Sequence, residues 1–142
     1  MKPERPKLSF KVMVNAWYGM SFGVALGVLM RIPGADAVVP AFAINLCVMA
    51  ALWLGIAIAR PDDKKRAYAD IAFALITFVL AAAALRTHPE IMIAGFLLQA
   101  WWSLQHRSDG LGVIGPVWFL LFASMANFAF AAVFFVLLRW FV

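Results

Sequence analysis

An all-α, polytopic bundle of transmembrane helices is the fold class this sequence predicts, and three observations predict it. Hydrophobic residues fill 65% of the 142 positions and charged ones 13%, with a mean hydropathy of +0.91, against roughly 45–50% apolar and about 25% charged residues in a soluble domain. The apolar residues fall into five long runs, and the charges collect between them. A chain this short has too little interior to hide so much apolar surface from water, whereas five stretches of about 20 residues, each enough to cross a bilayer, use about 100 positions. One integral membrane domain over residues 1–142 is expected, with spans near 10–30, 37–59, 67–85, 89–106 and 116–138.

The first run ends at Arg31, Ile32, Pro33 and Gly34, where fixed and permissive φ values favour a turn. The second begins near Asp36 or Pro40, because proline suits a helix's first turn, and stops at Ala59 before the basic joint of residues 60–66. Asp62 or Asp63 supplies an N-cap for the third, which ends at Arg86. Thr87, His88, Pro89 and Glu90 have the capping-box spacing, so a fourth helix is expected to start there. Its apolar body, residues 91–104, covers about 21 Å at 1.5 Å per residue, short of the roughly 30 Å hydrocarbon core. Five spans therefore compete with four spans plus one interfacial or re-entrant helix. The short joint from Arg86 to Glu90 suits a helix hairpin and favours five. The last helix starts at Pro116 and reaches Leu138.

Lys and Arg then sort by side. With the N-terminus in the cytoplasm, nine lie on inner segments and three, Arg31, Arg86 and Arg139, on outer ones, the excess that marks cytoplasmic loops. The four-plus-one topology gives the same ratio by exchanging Arg107 and Arg139, so charge does not choose between them. A net charge of +5 and a pI near 9.9 would invite a nucleic-acid partner in a soluble protein. Here the basic residues edge apolar runs, where anionic headgroups attract them, and no nucleic-acid partner is expected. Arg60, Lys64, Lys65 and Arg66 are the headgroup candidates. One cysteine, Cys47, excludes an intrachain disulfide, a CxxC pair and a thiolate zinc site.

Gly19, Gly23 and Gly27 place three glycines on one face of the first helix at four-residue spacing, which lets another backbone approach closely. The partner is a helix of the same molecule, the alanine-rich stretch of residues 81–84 being one candidate, or a second copy or other membrane subunit. Asn15, Asn45, Gln99 and Asn127 put one carboxamide in each of four spans. Each needs a partner in hydrocarbon, and Gln99 and Asn127, both near mid-bilayer, are expected to bond each other or to line a polar site.

All Asp, Glu, Lys, Arg and His residues lie within about two turns of a span end, whereas proton relays and ion-coupled sites put ionisable groups deep in the membrane. A proton pump is disfavoured. His88 and His106 are 18 residues apart, hence about 27 Å along a helix, so they do not share a metal or haem within the chain. No cofactor is expected. Trp17, Trp53, Trp101, Trp102 and Trp118 fall in the cytoplasmic half and Trp140 at the other face, as in an interfacial belt. Trp17 and Trp53 lie about 9–10 Å inside their flanking charges by helical rise, deep enough to line a pocket for a flat hydrophobic molecule together with Gln99, Trp102 and Asn127. Gln99, Ser103 and His106 share a helix face, and Asp109 can orient the imidazole, a minimal general-base arrangement. A headgroup or C-cap contact is the plainer role for His106.

The resulting expectation is a non-catalytic, helix-packing subunit of a homo-oligomer or larger membrane complex, with the bilayer, itself or other membrane subunits as partners. One alternative is a homo-oligomeric carrier or channel for a neutral or hydrophobic solute. Another is a membrane enzyme acting on a lipid or isoprenoid-like substrate, with His106 as base.

Overall fold

The computed structural model describes residues 10–59, 63–106 and 110–141. Within them five α-helices follow in order: α1 (Phe10–Leu29), α2 (Ala35–Ala59), α3 (Lys64–Arg86), α4 (Ile91–Leu104) and α5 (Val117–Phe141). No strand is present among the described residues. All but α4 are long and apolar enough to cross a membrane, and α4, with 14 residues, is a shorter apolar helix. The architecture is the all-α bundle that the composition requires.

Local chemistry sets the helix ends. Gly34, at φ 122°, takes the backbone conformation that side chains disfavour and lets α1 turn directly into α2. Helix α2 starts at Ala35, so Pro40 sits inside it and has no N–H to offer the carbonyl four residues back. Asp63 caps α3 by accepting the Arg66 N–H at 3.2 Å, and its carboxylate also meets Arg66 Nε at 3.0 Å. The expected capping box at the start of α4 does not form. Thr87 is spent on α3, its hydroxyl and its N–H both donating to the Ala83 carbonyl, and Glu90 makes no side-chain cap. The first N–H groups of α4 are satisfied by tighter bonds to the carbonyls three residues earlier: Ile91 to His88, Met92 to Pro89 and Ile93 to Glu90.

Chain direction alternates through all five helices. Asp70 meets His106 and Thr77 meets Gln99 across α3 and α4, an antiparallel order. Phe96 meets Phe130, and Ile93 shares a cleft with Phe135, so α4 and α5 are antiparallel too. By contrast α1 and α5 are parallel: Gly19 faces Phe122, Gly23 faces Ala126 and Gly27 faces Val133. Helix α4 therefore carries the chain back to the end from which α1 starts. That end also holds the α2–α3 joint and the α4–α5 loop, and is called the basic end below.

The extensive seam of α1 is with α5, while α2 to α5 enclose the core. A Cβ at Gly19 would fall on the Phe122 carbonyl, and one at Gly23 would lie 2.7 Å from the Ala129 methyl. Only glycine lets these two backbones come so close. The small-residue face thus meets α5, not the alanines of α3; Ala81 and Ala84 are instead buried in the core with Phe42 and Leu46 of α2. Toward the far end the core is aromatic, with Phe42 packed against Phe96, Phe130 and Phe134 at ring distances of 4.8 to 6.3 Å. Toward the basic end a second cluster joins Met49, Trp53, Phe73, Trp102, Leu120 and Ala123, and this cluster borders the polar site.

Candidate functional site

Two helix faces with matching spacing build the site. Asp70 and Thr77 lie seven residues apart on the buried face of α3. Gln99 lies seven before His106, with Ser103 between them, on a face that runs from α4 into the turn after it. Antiparallel packing brings these faces together as two rungs. Thr77 donates its hydroxyl to the Phe73 carbonyl at 3.0 Å and accepts from Gln99 Nε2 at 3.4 Å. Asp70 and His106 form the other rung, nearer the basic end, with Nε2 and Oδ1 2.8 Å apart. Asp70 is six residues beyond Lys64, about 9 Å along α3 by helical rise, and the side chains of Asp70 and His106 have no exposed surface.

The hydrogen bonds around the pair fix where its protons are. His106 Nδ1 lies 3.0 Å from the Trp102 carbonyl oxygen; a carbonyl only accepts, so Nδ1 carries a hydrogen. Nε2 then shares a proton with Asp70 Oδ1, and the couple as a whole is electrically neutral. Trp102 Nε1 donates to the same Oδ1 at 3.0 Å, and the Val113 N–H donates to Oδ2 at 3.0 Å. The carboxyl group is held from α4, from the turn after it and from the α4–α5 loop. Such convergence is what makes a buried charge pair tolerable in low dielectric.

Aromatic rings and glycines close the surroundings. Trp53 of α2 stacks on the imidazole with ring centroids 3.6 Å apart and 19° between planes, and Phe73 stacks on Trp102 at 4.3 Å and 5°. Gly112 lies so near the imidazole that a Cβ there would be 2.7 Å from Nε2 and within 2.9 Å of Cδ2 and Cε1. The loop is tied down by Gly112 N–H to the Gln105 carbonyl and Gly115 N–H to the His106 carbonyl, both 2.9 Å. Arg66 adds a longer bond to the Gly112 carbonyl, 3.4 Å. The arrangement is a latch that joins α2, α3, α4 and the α4–α5 loop. Removing one partner of a buried pair of this kind costs about 3–5 kcal/mol, because the other charge is left uncompensated.

Several expected site residues are placed elsewhere. The imidazole is oriented by Asp70, 36 residues away in sequence, while Asp109, like Arg60, lies outside the described residues. His106 is buried and makes no headgroup contact, but its bond to the Trp102 carbonyl in the last turn of α4 is the expected C-cap contact. Gln99 and Asn127 do not bond each other: Gln99 turns to Thr77, and Asn127 donates to the Ala123 carbonyl of its own helix at 2.8 Å. Their side-chain oxygens are buried without a hydrogen-bond partner. The tryptophans divide. Trp53 and Trp102 are in the latch, whereas Trp17, Trp101, Trp118 and Trp140 face outward. Trp17, 65% exposed, lines a niche of about 110 Å³ with Ala16, Met20 and Met125. Lys64 and Lys65 are exposed at the start of α3, and Arg66 folds back onto Asp63.

Asp70, Phe73 and Gly112 escaped the sequence reading. The signal that points to Asp70 is the repeated seven-residue interval, Asp70 to Thr77 and Gln99 to His106, on two helices joined by a short hairpin. No protein-family model, curated protein or solved structure matches this chain.

Proposed function

We propose that this protein is a non-catalytic, multi-pass membrane subunit that works through helix packing, as a homo-oligomer or within a larger membrane complex. It lies in the cell membrane with the basic end in the cytoplasm, an orientation supported by the nine-to-three distribution of Lys and Arg. One observation carries the non-catalytic assignment: both nitrogens of His106 are engaged by groups of this same chain, Nδ1 by the Trp102 carbonyl and Nε2 by Asp70. A general base needs an open lone pair within reach of its substrate. His106 offers none, and its side chain has no exposed surface.

The packing role is supported by α1. Its glycine face is committed to α5, and its other side leaves Trp17, Tyr18, Ser21 and Ala25 exposed. Ser21 and Ala25 repeat the four-residue spacing of small residues that lets a further helix approach. A carrier draws less support, since Trp17, Trp53, Gln99 and Asn127 sit in separate surroundings and not around one cavity. The test is the intact mass of the assembly purified in mild detergent. The expected result is a defined oligomer or fixed-stoichiometry complex that Ser21→Leu combined with Ala25→Leu reduces. A bare monomer, or an assembly indifferent to that double substitution, contradicts the packing role on α1. A hydrophobic small molecule retained at fixed ratio favours the carrier.

A further inference from the structure

At the end opposite the latch, the start of α4 and the last turn of α5 border a cleft of about 340 Å³ lined by Glu90, Ile93, Phe135, Leu138 and Arg139. It holds a carboxylate and a guanidinium that do not neutralise each other. Among the described residues neither group forms an ion pair, and the Arg139 guanidinium lies over the Phe135 ring, 5.8 Å from its centroid. Two larger grooves along the helices are different in kind. One of about 610 Å³ between α1 and α5 has an apolar lining except for Arg31, and one of about 450 Å³ between α2 and α3 has no charged residue.

We infer that this cleft binds the headgroup of phosphatidylethanolamine, its phosphate on Arg139 and its primary ammonium on Glu90. A purely anionic ligand meets repulsion from Glu90, and a purely cationic one from Arg139. A zwitterion carries a charge of the right sign for each of them. The guanidinium presents a fork of donors that matches phosphate oxygens. The ammonium of ethanolamine has three N–H donors for a carboxylate, which the quaternary ammonium of choline lacks. Ile93, Phe135 and Leu138 give the cleft an apolar wall beside the charges. Arg139 is in the last turn of a 25-residue apolar helix, the depth at which headgroups sit. A lipid, with acyl chains to cover that wall, fits better than a free zwitterion.

The experiment is native mass spectrometry of the whole protein in mild detergent, titrated separately with phosphatidylethanolamine, phosphatidylcholine and phosphatidylglycerol. Wild type is expected to take up phosphatidylethanolamine about threefold more than either other lipid, the scale of one exposed ion pair. Glu90→Gln brings phosphatidylethanolamine down to the phosphatidylcholine level, and Arg139→Gln lowers both. Arg86→Gln, at the same end but outside the cleft, leaves the preference intact. Equal uptake of the three lipids by wild type overturns the assignment without recourse to any variant. So does a preference that survives Glu90→Gln, or displacement of the lipid by soluble phosphoethanolamine at equal concentration, which identifies a site for the free zwitterion.

Discussion

Two helix seams in this molecule are held by opposite means. Between α1 and α5 the adhesive is close packing: three glycines let the backbones close up, and Phe22 packs against Phe122 and Phe130. Between α3 and α4 the adhesive is polar, a buried carboxylate and imidazole plus a threonine–glutamine contact, enclosed by stacked rings. Both solve one problem. In a bilayer the hydrophobic effect does not drive helices together, because lipid tails are as apolar as the side chains, so association needs either close packing or hydrogen bonds. The two seams therefore fail in different ways. A glycine seam yields to added volume at any contact point, whereas a polar latch yields to the loss of either partner.

The largest effect is expected at the latch. His106→Leu removes the partner of a buried carboxylate and should cost about 3–5 kcal/mol, read as a lowered unfolding midpoint in detergent, with α1 still docked on α5. A loss below about 1 kcal/mol would place the pair's contribution among ordinary neutral hydrogen bonds. Next comes Gly19→Leu, whose side chain has only the Phe122 backbone to occupy. Overpacking of this kind costs about 1–3 kcal/mol and should separate α1 from α5, seen as lost crosslinking between cysteines introduced along that seam, while the latch persists. The smallest effect belongs to Gly55→Ala in α2. A Cβ there meets nothing within 4 Å, so the helix should gain up to about 1 kcal/mol from the better propensity of alanine. A clear loss at this position would mean that the outward face of α2 is covered.

The two seams were also unequally legible. Gly19, Gly23 and Gly27 announce themselves because their spacing is local and periodic; only the identity of the partner helix was missing, and that depends on how α1 and α5 come to lie side by side in parallel. The helix-breaking joints at Pro33–Gly34 and around Asp63 were readable for the same reason, as local chemistry suffices to end a helix. Asp70 was not. It sits near a span end, where a carboxylate is unremarkable, and its partner is 36 residues away, so nothing within one helix reveals that both are buried. His106 was read with the nearest acid in sequence, Asp109, because proximity along the chain was the available guide. Thr87 misled in a similar way: a hydroxyl between two helices can serve the one before it or the one after it, and here it serves α3.

Asp70 and His106 are expected to act as one energetic unit, and a double-mutant cycle on unfolding free energy tests this most directly. Wild type, Asp70→Asn, His106→Gln and the double variant are compared in the same detergent. A coupling of about 2–4 kcal/mol is expected, with the double variant little worse than either single one. Additive losses, with a coupling within about 0.5 kcal/mol of zero, would contradict it and leave each side chain acting alone.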